Sequence, residues 1–418
     1  MIIDRELILD KELILDSKRV LESKMASSVA QTRRGEKSIH APIVIELLPY
    51  SELAEAGRRW QELEQRTGNT GLTNSWTWTE TWLEHHGTIV QPMFAFGRQD
   101  NQIIGAVLVV TAHYKRKSMR KLPFTITRVH LGTGKYVEYN RLLVVPELRD
   151  SFASALIKVV QHKFRWSELH FDGFVPEDAD ALLQAGKRAG LLFEVKTKRT
   201  PIFDFQKATR DGYQDVISAL GKNTRYNLRR SMRLFEDTYG PLTIEWAETA
   251  EHAKDILKEL IVLHQARWTQ RRRSGSFDKP HLRAYYMDLI DTFKFWPQGS
   301  VIVCRVKAGE TTLGCVFHYV ENGHLMFTKS GVPQFEDAKL KPGFVTHLLC
   351  MEECKKRSLA EEQHGKPGLL KYDFLAGDEA YKDSLTNSEG NLVSATAERG
   401  PLLWLVEMAG LIKNKLKK

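Results

Sequence analysis

A tandem α/β duplication, each copy a mixed central sheet flanked by helices, is the fold this sequence predicts, on three observations. The chain has 418 residues, room for two or three domains at roughly 150 residues each. Hydrophobic residues make up 42% and charged residues 27%, close to the average of a folded soluble protein, which excludes a wholly disordered or collagen-like chain. Two stretches of roughly 170 residues then repeat one order of strands and helices, as a duplicated module would.

In the first stretch, Ile43–Leu47 reads as a strand, and Ser51 can cap a helix whose Leu53, Ala54, Ala56, Trp60 and Leu63 share one face. A second helix is predicted over Thr77–His85. Two β-rich runs, Pro92–Gly97 and Ile103–Ala112, flank a hairpin turn at Gln99–Gln102. A strand at Leu142–Val145, a helix, a strand at Leu169–Phe174, a helix and a strand from Phe193 complete the set. The second stretch repeats it. A strand at Thr243–Ala247 precedes a long helix with Ile256, Leu257, Leu260 and Leu263 on its apolar face. A further helix follows, then a meander whose Asn322-Gly323 pair marks a tight turn. Pro342 opens another helix, and strands follow near 369–375 and 392–398. The boundary between modules is expected near Phe205–Asp211.

The ends of the chain read differently. Residues 1–40 carry a hexad repeat, Arg-Glu-Leu-Ile-Leu-Asp then Lys-Glu-Leu-Ile-Leu-Asp, whose period fits neither a straight helix nor a heptad, so they are expected to be a poorly ordered extension. With acids among its apolar residues, it is not expected to be a secretory signal. Residues 401–418 are expected to form a basic amphipathic helix. No run of 18 apolar residues exists, so no transmembrane helix is predicted. The cytoplasm is the expected compartment, with contact at the inner membrane face open through that last helix. The four cysteines are too sparse for a disulfide framework, and Cys350, Cys354 and His347 lack the further ligand a zinc site needs, so no metal is expected. The charge of +9 favours anionic ligands without choosing among phosphates, acidic polysaccharide, lipid headgroups and RNA.

Several clusters could carry chemistry. Lys339, Lys341, Gly343 and Phe344 stand where a strand and loop lead into a helix. Free backbone N–H groups, the positive end of the helix dipole and two ammonium groups suit a diphosphate there. Asp373 lies in an otherwise apolar strand, where a carboxylate is costly unless paired or functional. After it, Gly377 allows a sharp exit and Asp378, Glu379, Tyr381 and Lys382 follow. A carboxylate can take a proton from an attacking ammonium, a phenol can give one to a leaving group, and a lysine can stabilise an oxyanion. Arg225 and Arg229 share a helix face, and with Arg267 and Trp268 they could surround a polyanion. His318 stands mid-strand and could face a cleft as acid or base. Glu138, Tyr139 and Asn140 lead into a strand and could line a cleft between the halves.

The runs Leu263–Trp268, Ser274–Phe277, Pro342-Gly343 and Tyr372–Lys382 resemble the cellulose-locus CelD/BcsL-like acetyltransferase group. That group is a branch of the GNAT superfamily of N-acetyltransferases, akin to the FemABX peptidoglycan aminoacyl-transferases. The resemblance implies a GNAT-like domain at 41–208 and a donor-binding one at 209–400, with the acceptor in the cleft between them. It implies acetyl-CoA or another acyl-CoA as donor, bound at Lys339, Lys341, Gly343 and Phe344. The acceptor would be an amine on a cell-envelope polysaccharide sugar or its lipid-linked precursor. Asp373 or Glu379 would act as base and Tyr381 as acid, and Lys382 would meet the carbonyl under attack. The superfamily's glycine-bearing pyrophosphate loop is represented only by Lys341-Pro342-Gly343. Two other functions stay open: an aminoacyl-tRNA-dependent transferase, and a glycan-binding protein that kept the fold without catalysis.

Overall fold

The computed structural model describes residues 41–68, 71–117, 123–133, 137–270, 272–365, 368–377 and 379–399. The predicted 1–40 extension, the 401–418 helix and Asp378 lie outside the described residues. The chain from Ile43 onward is one compact unit.

The first half runs β1 (Val44–Pro49), α1 (Leu53–Thr67), α2 (Trp76–His86), β2 (Gln91–Gln99), β3 (Gln102–Lys117), β4 (Pro123–Leu131), β5 (Leu143–Val144), α3 (Arg149–Lys163), β6 (Glu168–Phe174), α4 (Pro176–Arg188) and β7 (Phe193–Asp204). A helical connection follows: α5 (Phe205–Arg210), α6 (Val216–Ala219) and α7 (Lys222–Tyr239). The second half repeats the order with β8 (Leu242–Trp246), α8 (Ala250–Gln270), α9 (Pro280–Thr292), β9 (Val301–Ala308), β10 (Thr311–Glu321), β11 (His324–Gly331), α10 (Pro342–Gln363), β12 (Lys371–Asp373), α11 (Ala380–Ser384) and β13 (Ser388–Glu398).

The two halves also repeat one ladder. Antiparallel pairs β1–β2, β2–β3 and β3–β4 are followed by the parallel pair β4–β6. Antiparallel pairs β8–β9, β9–β10 and β10–β11 are followed by the parallel pair β11–β12. Each parallel pair needs a long crossover, and α3 and α10 provide it. The hairpin turns match as well. Asp100 and Asn101 have φ of 48° and 64°, and Asn322 and Gly323 have 49° and 74°, the left-handed pair that a two-residue turn between twisted strands requires.

The last strands of the halves are exchanged. The sheet order is β1-β2-β3-β4-β6-β13-β7-β12-β11-β10-β9-β8, with β5 beside β3. Thus β13, from the end of the second half, pairs with β6 of the first, and β7, from the end of the first, pairs with β12 of the second. The sheet runs unbroken past Phe205–Asp211, where the boundary between modules is expected.

Three cores cover the sheet. One packs α3 and α4 on the first half, around Phe152, Phe171 and Leu182. One packs α7 and α10 on the second, around Phe235, Leu348 and Tyr372. The third joins the halves: Trp60, Trp76 and Trp78 of the first share it with Tyr285, Phe317 and Tyr319 of the second. Trp78 meets Tyr319 and Tyr285 edge-on, with centroids 5.0 and 6.1 Å apart, contacts worth about 0.5–1.5 kcal/mol each beyond area burial. His85 Nε2 lies 2.6 Å from Asp288 Oδ2 at its rim. This core and the exchanged strands hold the seam between halves in one geometry, and the candidate site lies on that seam.

Candidate active site

The site begins where a ladder stops. β11 and β12 are in register at His324↔Lys371, Leu325↔Tyr372 and Met326↔Asp373, and there the pairing ends. β11 continues to Gly331 without β12 beside it, so the two strands fork. A bulge at the fork adds to this: Phe317 opposes Lys329 while His318 opposes Phe327, leaving Thr328 as the extra residue. Bulges release backbone groups from a ladder and re-aim them. Thr328 Oγ1 donates to Phe317 O at 3.0 Å, which fixes the kink.

The start of α10 belongs to the same neighbourhood. No side chain caps it, and Pro342 sits in its first turn, so the N–H groups of Gly343 and Phe344 have no partner within the helix. Lys341 N donates to Ser231 Oγ at 2.8 Å, which ties the start to α7, while the Lys341 and Lys339 side chains are exposed. A β-carbon on Gly343 would meet nothing nearer than Val332 at 3.8 Å. The Phe344 ring lies 6.0 Å from that of Tyr381, so the predicted donor residues and the predicted catalytic loop meet.

Asp373 stands at the tip of the fork and is fully buried. It accepts hydrogen bonds from the Tyr139 hydroxyl, from His324 Nε2 at 2.8 Å and from Leu375 N at 2.6 Å. Three donors offset the cost of burying a carboxylate. Burial first, then the Asp373 carboxylate, holds the Tyr139 phenol well above its usual range, so it stays protonated and donates. The next residues form a strained exit: Leu375 has φ of 57°, a left-handed value costly for a bulky side chain.

That exit is clamped from both sides. Glu138 Oε2 accepts from Ala376 N at 2.9 Å. The buried Lys382 ammonium donates to Leu375 O at 3.2 Å and Ala376 O at 3.4 Å, and pairs with Glu379 Oε2 at 3.0 Å. Partial burial pushes the Glu379 carboxyl up, but the Lys382 hydrogen bond and charge outweigh it, and the net shift is downward. Burial, helped by the Glu379 charge, pushes the Tyr381 phenol up to about 12, while the nearby Arg267 guanidinium opposes this. Tyr381 is therefore a protonated phenol at neutral pH.

The first half has the corresponding fork, filled by its own chain. β4 and β6 pair only as far as Leu131↔Phe171. Asn140 then returns to bridge Phe174, with its N–H on Gly173 O at 2.9 Å and its Nδ2 on Asp172 O at 2.8 Å. The plug packs closely: a β-carbon on Gly173, whose φ is 63°, would lie 2.8 Å from Val137 O. Tyr139, at φ of 61°, turns out of the plug and carries its hydroxyl to Asp373. One fork is closed, and the segment closing it furnishes two residues of the other.

Other expected residues fall elsewhere. His318 does not face a cleft. It is fully buried with Nε2 2.8 Å from the Tyr372 hydroxyl, which also lies 2.8 Å from His347 Nδ1. Its place in β10 points it into the second-half core, behind the fork. Arg225 is not free for a polyanion: its Nη1 donates to Ser218 O and Leu220 O, tying α7 to the end of α6, and the Arg229 charge lies beside Asp215. Arg267 does reach Glu379 and Tyr381 electrostatically. Trp268 stands one turn past His264, with ring centroids 6.0 Å apart. All four cysteines are free and buried, and His347 bonds Tyr372 rather than joining Cys350 and Cys354 around an ion.

The His318–Tyr372–His347 chain makes a prediction about acid. Burial holds both imidazoles neutral and depresses each to about 3, against about 6.5 in an unfolded chain. Between those values the unfolded chain takes up protons that the folded one refuses. Stability is therefore full above pH about 6.5 and falls on acidification, by up to about 1.4 kcal/mol per pH unit for each histidine. Urea unfolding at pH 7 and pH 5 should show a lower midpoint at pH 5, and His347→Gln should reduce that difference. Equal pH dependence in the variant would remove His347 from the account.

Residues 222–383 match the family model of an acetyltransferase (GNAT) domain, a span that contains the fork, the start of α10, Asp373, Glu379, Tyr381 and Lys382. No curated protein matches the chain by sequence. Among solved structures, it is similar to FemX at 12% identity and a TM-score of 0.49, over 78% of this chain and 93% of that one. It is similar to the C-terminal domain of a putative lysylphosphatidylglycerol synthetase from Agrobacterium fabrum at 12% identity and 0.46, over 86% and 97%. A tandem GNAT protein from the clavulanic acid biosynthesis pathway aligns at 11% identity and 0.44, over 85% and 99%.

Proposed function

We propose, from the acetyltransferase (GNAT) domain at residues 222–383, that the chain transfers an acyl group, acetyl in the simplest case, from acyl-CoA to an amine. The observation that carries this reading is the fork between β11 and β12 beside the uncapped start of α10. A helix start without a cap is suited to a diphosphate, and Lys341 and Lys339 add positive charge there. Backbone N–H groups freed along β11 past Met326 are suited to a thioester oxygen, whose negative charge grows during attack. Tyr381, protonated at neutral pH, can give its proton to the departing thiolate. Asp373, held by three donors and shut from solvent, positions Tyr139, His324 and Leu375 rather than serving as the base. Lys382 fixes the carbonyls of the exit loop and the Glu379 carboxylate.

The finer reading places the chain in the cellulose-locus branch of the superfamily, with the first and second halves as two GNAT-like domains divided near residue 208. The acceptor would be an amino sugar of a cell-envelope polysaccharide or its precursor. No described helix is long and apolar enough to cross a membrane, and the tail at 401–418 would make any membrane contact. The engagement of Arg225 with backbone carbonyls leaves a transfer RNA donor less to bind.

A donor that binds only the folded state raises its melting point. Acetyl-CoA at a hundred times its Kd should stabilise the chain by about 2.7 kcal/mol, longer acyl-CoAs and free CoA should report the acyl preference, and Lys341→Ala should weaken all of them. No shift with any CoA species, together with salt-sensitive copurification of RNA, would move the assignment to the tRNA-dependent reading.

A further inference from the structure

The plug of the first half leaves a pocket on the seam, against the exit loop that follows the fork. Its volume is about 100 Å³, and Val137, Glu138, Asp172, Gly173, Lys198, Ala376 and Leu392 line it. The walls come from the plug, from the end of β6, from β7 and β13, and from the exit loop three residues beyond the fork. Glu138 Oε2 is held by Ala376 N. Its other oxygen makes no hydrogen bond among the described residues and belongs to a group that lines the pocket. Asp172 adds a second, half-buried carboxylate, and Lys198 adds an exposed ammonium at the rim.

We propose that this seam pocket receives the ammonium group of the acceptor, with Glu138 taking its proton, Asp172 accepting from a neighbouring hydroxyl and Lys198 donating to another. The ligand class is a primary amine on a hydroxylated skeleton, an amino sugar being the simplest example. The inference rests on the acyl-transfer reading for its second step only. In the first step the ammonium gives one proton to the second oxygen of Glu138, leaving a neutral amine and a carboxylic acid. In the second the amine nitrogen bonds to the thioester carbonyl carbon and the C–S bond breaks. The thiolate takes the Tyr381 proton, the nitrogen's extra proton restores the Tyr381 phenol, and amide and free thiol result. Glu138 then returns its proton to water.

The electrostatics suit that role. The titratable groups facing Glu138 are Asp373, Lys382, Lys198 and Tyr139. Burial, above all, and the Asp373 charge raise the Glu138 carboxyl, while the Ala376 N–H, Lys382 and Lys198 oppose this, and the net shift is upward. A carboxylate with a raised pKa is a stronger base than an exposed one and holds the proton it takes. Asp172 differs: burial pushes its carboxyl up, but the nearby His130 ring, 3.7 Å away, outweighs it and the net shift is downward, so it stays an anion and an acceptor.

The test uses the full chain with glucosamine and a linked glucosamine tetramer as probes, glucose as control, and acetyl-CoA as donor. Glu138→Gln keeps an oxygen for Ala376 N, and its unliganded melting point shows whether the fold is intact. The amines should raise the melting point of the native chain and glucose should not. Glu138→Gln should lose the amine response and keep the acetyl-CoA response. Its kcat/KM for the amine should fall by about 10²–10³, and the acid limb of the native pH profile should disappear. An amine response and a turnover unchanged in Glu138→Gln would overturn the proposal, as would no amine response in the native chain. If the amine response depends on Glu138 but no CoA species binds, the amine pocket stands and the acyl-CoA reading falls.

Discussion

Asp373→Ala should cost about 3–5 kcal/mol of unfolding free energy, the range for removing one member of a buried charged network, and should abolish acyl transfer in the fraction that folds. The size follows from what is left behind. The Tyr139 hydroxyl, the His324 ring and the Leu375 N–H would all lose their acceptor, and buried donors without partners cost about 1–3 kcal/mol each. Asp373→Asn is the gentler change. Its amide oxygen can accept one or two of the three, but its NH2 opposes a donor, so a smaller loss of about 1–3 kcal/mol is expected. Since Tyr139 comes from the first half and Asp373 from the second, Tyr139→Phe should be non-additive with Asp373→Asn, with a coupling within the 0.5–3 kcal/mol seen for contacting groups, about 1 kcal/mol or more. Urea denaturation of the two single variants and the double variant measures this directly. Additive effects would mean that the seam does not depend on this bond.

Lys382→Met should leave the core volume nearly unchanged and still lower turnover by about a hundredfold, the scale of one lost electrostatic group in an active site. Lys382 is buried, and its ammonium holds two carbonyls of the exit loop and the Glu379 carboxylate. Without it those carbonyls lose that donor, and the left-handed conformation of Leu375 loses one of its supports. The Glu379 carboxyl should titrate at higher pH, since the hydrogen bond and charge that hold it down are gone. CoA release assays separate the consequences: kcat for the amine should fall much more than the affinity for acetyl-CoA, because α10 keeps its place. A loss confined to donor affinity would instead assign Lys382 to donor binding.

The site was partly legible in the chain. Asp373 was marked by its own improbability, a carboxylate inside Tyr372-Asp373-Phe374-Leu375. Lys382, Glu379 and Tyr381 were close enough in sequence to be grouped, and the Pro342 helix start announced itself. His318 misled because a lone polar residue in a strand reads alike whether it faces a cleft or a buried partner. That partner is Tyr372, 54 residues away, and no local pattern reports it. Arg225 misled in the same manner: helical spacing shows which side chains share a face, but not that backbone carbonyls at the end of α6 absorb the guanidinium. His324 carries no signal in the sequence, and Glu138 only that of a polar residue leading into a strand, because their importance comes from contacts across the ladder and across the seam.

Periodicity, turn residues and the repeated order of elements were enough by themselves to define a duplicated α/β chain, because amphipathic faces and tight turns are written in residues only a few positions apart. The exchange of β7 with β13, the filling of one fork by Val137–Asn140 and the meeting of Tyr139 with Asp373 were decided only in three dimensions. The first and third depend on partners more than 180 residues apart, and the second on Asn140 bonding Asp172 and Gly173, more than 30 residues along the chain. Pairing energies between such strands come from burial and ladder hydrogen bonds that any of several strand orders could in principle make, so the choice among them is made by how the whole sheet and its three cores close together.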